Sequence, residues 1–99
     1  MKADEMFNHL KNMGFEPVME LVNVKGNDVK VNRENHFKLE INSHIIIVST
    51  AKFPYVCVYM DGEELYRNLT MYSYTYDEPL NFTKKLIRQI KIENILDNQ

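Results

Sequence analysis

The sequence has no tryptophan, one cysteine, three glycines and three prolines in 99 residues. Because Cys57 stands alone, an internal disulfide and a cysteine-rich zinc site are excluded. The few glycines form no glycine-rich phosphate-binding loop. The longest apolar run, residues 45–48, is far shorter than the roughly 20 residues that cross a bilayer as a helix. These absences leave an ordinary globular domain as the expected class.

Neither sign of charge dominates, since 12 Lys and Arg stand against 14 Asp and Glu, for a net charge of −2. Dedicated duplex-DNA binders normally carry a clear cationic excess. The apolar fraction of 44% and charged fraction of 26% are typical of one soluble domain. Asp4 and Glu5 lie where a signal peptide would need apolar residues. We therefore expect a single domain, residues 1–99, in the cytoplasm of its host cell.

The residues that carry most enzyme chemistry are present but not grouped. His9, His36 and His44 have no metal-ligand spacing. Cys57 lies in the middle of a predicted strand, away from any helix terminus that would lower a thiol pKa, so we expect it to be a small apolar filler. The sequence predicts no catalytic residues, no metal site and no cofactor, and hence a non-enzymatic protein.

The first third of the chain predicts a helix followed by an edge strand. In residues 3–13 the apolar side chains recur at helical spacing, and Gly14 supplies a helix end. Residues 15–24 are rich in valine and contain Pro17, which favours a short strand at a sheet edge. Residues 26–35 are polar and rich in asparagine, and they predict a long loop or a poorly paired hairpin tip, with Val29 and Val31 able to extend a strand.

Two hairpins are predicted in the middle of the chain. Residues 37–41 alternate between apolar and polar side chains, and Asn42 and Ser43 form a two-residue turn into residues 44–50. This turn places Ile41 opposite His44, and Leu39 and Phe37 opposite residues 46 and 48. Residues 55–60 resume the alternation, and Asp61-Gly62 is a second turn signal.

Alternation through the second hairpin assigns its side chains to two faces. One face would carry Val56, Val58, Met60, Leu65, Leu69 and Met71. The other would carry Cys57 and all six tyrosines: Tyr55, Tyr59, Tyr66, Tyr72, Tyr74 and Tyr76. Tyrosine is favoured at binding surfaces because it offers a large, stiff area and a hydroxyl group. A protein-binding face, a base-stacking platform, and a plain core with one helix on each side of the sheet all fit this pattern.

The last segment predicts a second helix over residues 81–95. Its apolar arc comprises Phe82, Leu86, Ile87 and Ile90, and its opposite arc is basic: Lys84, Lys85, Arg88 and Lys91. The basic arc is typical of a solvated helix face, and the same residues could bind nucleic acid or a nucleotide. Ile92, Ile95 and Leu96 depart from the apolar arc. The order helix, four to five antiparallel strands, helix predicts an α+β domain built as a meander of hairpins.

The N-terminus resembles a group of phage proteins. Ala3-Asp4-Glu5-Met6-Phe7, then Leu10 and Gly14-Phe15-Glu16, is similar to the start of short uncharacterised proteins of Firmicute phages and prophages. The resemblance covers roughly the first sixteen residues, and the tyrosine-rich strand and basic last helix depart from that group. It implies a phage or mobile-element accessory protein in a bacterial host, and it assigns no functional residue.

These observations predict an accessory protein that acts by contact with another protein. Such proteins often block a host enzyme or defence complex, as anti-CRISPR proteins do, and inhibition by contact needs no catalytic residue. Nucleic-acid binding through the basic helix is the alternative. If both helices cover the face of Val56 and Val58, the tyrosine face together with Ile45 and Ile47 would be open, and it predicts a homodimer through the sheet.

Overall fold

In a computed structural model of the chain, backbone and side chains are described for residues 3–31, 36–50, 55–69 and 76–96, and the backbone also for residues 32–35 and 97. The elements in chain order are α1 (Ala3–Asn12), β1 (Glu16–Val24), β2 (Asn27–Ile41), β3 (His44–Ser49), β4 (Tyr55–Met60), β5 (Glu63–Leu69) and α2 (Asp77–Asp97). The predicted α+β class and the order helix, antiparallel sheet, helix are confirmed. The described strands form one five-stranded sheet in the order β1-β2-β3-β4-β5.

Both predicted hairpin turns are present. Asn42 and Ser43 have φ of 48° and 68°, and Asp61 and Gly62 have φ of 53° and 86°. Two consecutive positive φ angles define the type I′ turn, whose twist matches that of the strands it joins. The β2–β3 register is the predicted one, because Ile41 lies opposite His44, Leu39 opposite Ile46 and Phe37 opposite Val48.

Of the two alternatives predicted for residues 26–35, the long loop is wrong and the hairpin is present, with Val29 and Val31 in its second strand and with regular pairing. The turn is made by Lys25 and Gly26, with φ of 52° and 84°, and β2 begins directly after it at Asn27. Val29 pairs with Val22, so the asparagine-rich segment continues a ladder instead of forming a loop. The sequence suggested a turn at Gly26-Asn27, one residue too late, because lysine is not a residue that marks a type I′ turn.

Both helices pack on the same face of the sheet. One row of side chains crosses four strands on that face: Phe37, Val48, Val58 and Tyr66. At one end of the row Phe7 of α1 stacks on Phe37 with ring centroids 4.8 Å apart, and at the other end Phe82 of α2 stacks on Tyr66 at 4.7 Å. The arrangement with one helix on each face, which the sequence left open, is therefore wrong for the described residues.

The second helix begins earlier than predicted. It starts at Asp77 instead of residue 81, because Pro79 lies in the first turn, where its missing N–H costs no hydrogen bond. Thr83 donates its hydroxyl hydrogen bond to the Pro79 carbonyl at 2.8 Å. The predicted arcs are confirmed: Leu86, Ile87 and Ile90 are buried, and the basic side chains are exposed.

Candidate protein-binding surface

The face of the sheet opposite the helices is the candidate functional surface. No helix of the described chain packs on it, and we call it the outer face. Cross-strand pairing places on it Lys38, Ile45, Ile47, Ser49, Tyr55, Cys57, Tyr59, Glu64, Arg67 and Leu69. Ile45 is 41% exposed and Leu69 is 42% exposed, whereas Ile46, which follows Ile45 but points to the helices, is fully buried.

An arginine is held in a defined position on the outer face. The Arg67 guanidinium donates two hydrogen bonds to the Glu64 carboxylate, at 2.6 and 3.2 Å. Its central carbon lies 5.2 Å from the centroid of the Tyr55 ring, within range of a cation–π contact. The Glu64 hydrogen bonds raise the pKa of Arg67 further above its usual value. The result is a guanidinium whose orientation is fixed by Glu64 and Tyr55 and whose charge is paired with the Glu64 carboxylate.

Two side chains at the centre of the outer face are buried, although no helix of the described chain packs over them. Cys57 is fully buried and Ser49, its cross-strand partner, is 4% exposed. Burial raises the pKa of the Cys57 thiol, although a hydrogen bond with Tyr59 acts in the opposite direction. A thiol with a raised pKa stays protonated near neutral pH and is a poor nucleophile. The filler role predicted for Cys57 agrees with this placement, but its predicted exposure on an open patch is wrong.

The predicted tyrosine face needs correction because strand β5 contains a bulge. The register shifts between Val58 and Tyr59, so that Val58 pairs with Tyr66 while Tyr59 pairs with Glu64. Leu65 is the extra residue. The shift reverses the side-chain parity beyond it, which moves Tyr66 to the helix side and Leu69 to the outer face.

The six tyrosines are therefore not one surface. Tyr55 and Tyr59 lie on the outer face as predicted, whereas Tyr66 and Tyr76 pack against the hydrophobic core under the helices. Tyr72 and Tyr74 lie outside the described residues, as does the predicted face position of Met71. The sequence analysis missed Arg67, Glu64 and Leu69 as members of the face, and no signal in the sequence marks the bulge that places Leu69 there.

The basic arc of α2 brings three of its four predicted residues together. Lys84, Arg88 and Lys91 line a shallow depression of about 290 Å³ whose other walls are Met13 and Ile87. Lys85 is exposed on the same helix but does not line it. None of the described residues that line this depression is acidic, and Met13 and Ile87 give it an apolar floor.

A cluster of hydrogen bonds joins the β4–β5 turn to the first residues of β3, which follow the β2–β3 turn. His44 Nδ1 lies 2.7 Å from Asp61 Oδ2, and the Ile45 amide donates to the other oxygen of the same carboxylate at 2.9 Å. The Asp61 amide donates in turn to the Ile45 carbonyl at 2.9 Å. These hydrogen bonds connect the β4–β5 turn to the start of β3. They hold the Asp61 pKa below its usual value of 3.8, with the His44 hydrogen bond as the largest cause.

Among the residues described, no group of three His, Cys, Asp or Glu side chains is placed to hold a metal ion. None of the helices described is both long enough and apolar enough to cross a membrane. Comparison with known proteins gives no family model, no curated protein and no solved structure that matches the chain.

Proposed function

We propose that this chain is a small non-enzymatic protein that acts by binding another protein through the outer face of its sheet. One observation carries the proposal: both helices cover one face, which leaves Ile45, Tyr55 and Leu69 at least 36% exposed on the other. Neighbouring apolar and tyrosine side chains around a pre-oriented arginine resemble the composition of protein interfaces, in which Tyr and Arg contribute much of the binding energy.

The phage setting implied by the N-terminal helix extends this proposal. An accessory protein of a phage or mobile element would act in the cytoplasm of its bacterial host, and its partner would be a host or phage protein. Inhibition of a host enzyme or defence complex, in the manner of anti-CRISPR proteins, requires only that a binding face cover the working surface of the target. The outer face is of the amphipathic kind that such a contact needs.

The proposal is tested by recovering partners from a bacterial lysate with matched variants. We expect Tyr55→Ala/Leu69→Ala to lose partners that the wild type retains, because it removes exposed apolar area from the outer face. The control, Ile92→Ala/Ile95→Ala, removes a similar area from the exposed end of α2, where these side chains are 51% and 59% exposed. Equal recovery of every partner by wild type and outer-face variant would contradict the proposal.

A second function, nucleic-acid or nucleotide binding, is favoured by the basic depression on α2. Three cationic side chains converge there, and the other described residues of its lining, Met13 and Ile87, are apolar. Three phosphate contacts predict a slope of about −2 to −3 in log affinity against log salt concentration. Fluorescence anisotropy with a labelled oligonucleotide would measure this slope. Arg88→Ala should weaken binding more than the control Lys85→Ala, and absence of binding at low salt would exclude this function.

A further inference from the structure

The part of β1 and β2 beyond Pro17 forms a two-stranded arm that the rest of the described chain leaves uncovered. We define the arm as residues 18–33. It contains seven consecutive cross-strand pairs, from Val18 opposite Arg33 to Val24 opposite Asn27, and each strand packs extensively only on the other. Met19 is 53% exposed and Leu21 is 66% exposed. A lone two-stranded hairpin is marginally stable in water, so the arm is an unusual place for so much apolar surface.

One face of the arm is formed by valines. Alternation places Val18, Val22 and Val24 of β1 on one side, together with Val29, which pairs with Val22, and with Glu20 and its partner Val31. Of these, Val22, Val24, Val29 and Val31 are 37–47% exposed. The β1–β2 register shifts between Pro17 and Val18, so the arm is joined to the body of the sheet through an irregular step in the ladder.

The arm also has an unpaired backbone edge whose orientation follows from its turn. In a two-residue type I′ hairpin the residues flanking the turn, here Val24 and Asn27, exchange backbone hydrogen bonds, and such pairs then alternate along the ladder. The even-numbered residues of β1 thus point their N–H and C=O groups at β2. Met19, Leu21 and Asn23 point theirs away from it. Side-chain evidence agrees: Asn23 donates to Asp28 at 3.3 Å across a pair that makes no backbone hydrogen bonds, where side chains approach most closely.

None of the described strands pairs with this edge of β1. Pro17 lies at its base with its missing N–H on the edge side, the position at which proline is tolerated in a sheet. The positive φ of Lys25 ends the extended backbone at the tip. Between these two limits the edge offers three residues with outward N–H and C=O groups, and that is the pattern to which another strand can add.

We propose that this edge pairs with the same edge of a second copy of the chain, in antiparallel orientation, with Leu21 opposite Leu21 on the two-fold axis. In this register Met19 of each copy lies opposite Asn23 of the other. The three resulting pairs exchange six backbone hydrogen bonds, all from groups that are otherwise unpaired within the sheet. An antiparallel strand pair of this kind is isologous, the form that symmetric dimers use.

The side chains select this register over its neighbours. With Leu21 on the axis, Val18 of one copy meets Val24 of the other on the valine side, and Glu20 meets Val22. A shift by one step toward the base would place the two Glu20 side chains directly opposite, which is unfavourable for like charges. A shift by one step toward the tip would leave two pairs with backbone hydrogen bonds between the copies, both between Leu21 and Asn23. The next pair would need Lys25, a turn residue with positive φ, to act as a strand residue.

The charges of the arm favour a second copy of the chain over a partner with a large net charge of either sign. Glu20 and Asp28 stand against Lys25, Lys30 and Arg33, so the arm has a net charge of only +1, which gives little attraction for a polyanion and none for a strongly basic partner. Across the proposed seam, Lys25 of one copy falls beside Pro17 of the other, next to Glu16. The contact therefore brings two pairs of opposite charges near each other, one at each end of the seam.

The proposed dimer also determines how the outer faces are presented, a point that rests on the proposed function. A two-fold axis perpendicular to the sheet keeps each face on its own side. Both outer faces would thus lie on the same side of one continuous sheet, and the dimer would present two identical binding surfaces to a partner. A dimer formed through the outer faces themselves, as the sequence predicted, would instead bury them.

The test is sedimentation equilibrium of the full chain between about 1 and 100 µM, a range that detects a micromolar dissociation constant. We expect the wild type to dimerise and Leu21→Pro to weaken the dimer at least tenfold. Residue 21 directs its N–H away from β2, so this proline removes no hydrogen bond within the arm. We expect Glu20→Gln to strengthen the dimer about two- to fivefold, because the two Glu20 carboxylates become diagonal neighbours across the seam.

A cross-link keeps the test valid if the proline disturbs the arm. Leu21→Cys should form a disulfide between copies under mild oxidation, since directly opposed residues lie about 5.5 Å apart between Cα atoms. Val24→Cys is the control, because in this register the two residues 24 are about 20 Å apart along the strands. The native Cys57 is common to both variants and fully buried.

Two results would overturn the proposal. One is a wild type that stays monomeric at about 100 µM. The other is a dimer that neither Leu21→Pro nor the cysteine variants affect but that Tyr59→Glu abolishes, which would place the interface on the outer face. Neither result decides the proposed function, because that is measured separately by partner recovery with Tyr55→Ala/Leu69→Ala.

Discussion

The body of the sheet and the arm are built from the same kind of strand but differ in what stands behind them. In the body, the apolar row on the helix side from Phe37 to Tyr66 ends against an aromatic ring of α1 at one end and of α2 at the other. Val48, Val56 and Val58 are at most 1% exposed. In the arm, Val22 and Val29 form a similar cross-strand pair and are 37% and 44% exposed. The same residue type thus belongs to a core in one region and to a surface in the other.

The difference shows that alternation defines a strand but does not say what covers it. Burial of a valine side chain stabilises a fold by about 1.5–3 kcal/mol. Among the described residues, the valines of the body are buried by packing within the chain, whereas those of the arm are exposed. In the arm, the same free energy could be gained by burying the valines against another molecule. The outer edge of β1 could form backbone hydrogen bonds with that molecule as well. A region that is well ordered in its pairing and poor in packing is where an intermolecular contact is expected.

The largest effect on the free energy of unfolding is expected when one valine of the body is compared with one of the arm. Val58→Ala should lower the free energy of unfolding by about 2 kcal/mol, because it removes two buried methyl groups and leaves a cavity. Val22→Ala in the arm should change it by less than about 0.5 kcal/mol at concentrations where the chain is monomeric. Urea denaturation at low micromolar concentration measures both. A comparable loss for the two variants would show that the arm is packed as tightly as the body.

A smaller effect is expected at two equivalent turn glycines. Gly26 and Gly62 have φ of 84° and 86°, and at neither would an added Cβ meet a heavy atom within 4 Å. Alanine at a left-handed position costs about 1–2 kcal/mol. Gly62→Ala should therefore reduce global stability by that amount.

The control for this pair lies in the arm. Gly26→Ala should mainly increase local opening of residues 18–33, because regions with few packing contacts open without global unfolding. Hydrogen exchange of the arm amides, compared with the denaturation midpoint, separates the two effects. Equal shifts of the midpoint by both variants would mean that arm and body unfold as one cooperative unit.

Much of the fold could be predicted where a local rule coincides with the tertiary arrangement. The turns at Asn42-Ser43 and Asp61-Gly62 contain residues that tolerate positive φ, so their registers followed from the sequence. The apolar arc of α2 followed from helical periodicity. Pro17 correctly marked β1 as an edge strand. In each case a few neighbouring residues hold all the information needed.

The rest depended on features without a local signature. The bulge at Leu65 reverses the faces of residues 66–69, and nothing in the β5 sequence distinguishes a bulged strand from a regular one. Which face the helices cover is decided by distant contacts such as Phe7 on Phe37 and Phe82 on Tyr66. The candidate surface was therefore only partly predicted: Tyr55, Tyr59, Ile45 and Ile47 are on it, and Tyr66 and Tyr76 are not.

The smallest expected effect concerns the hydrogen bonds that join two hairpins of the body. The hydrogen bonds from His44 and the Ile45 amide hold the Asp61 pKa below its usual value. A carboxyl whose pKa is lower in the folded state stabilises the fold above its unfolded pKa, near 4, and loses this contribution as the pH falls through its folded pKa. Asp61→Asn should therefore be less stable than the wild type at pH 7, and the difference should shrink as the pH falls from about 5 toward 2.

Asp28→Asn in the arm is the control, for which we expect no change in global stability at pH 7. Denaturation of the three proteins across this pH range measures the effect, and a wild-type advantage over Asp61→Asn that persists unchanged at the lowest pH would show that the charge on Asp61 is not its source.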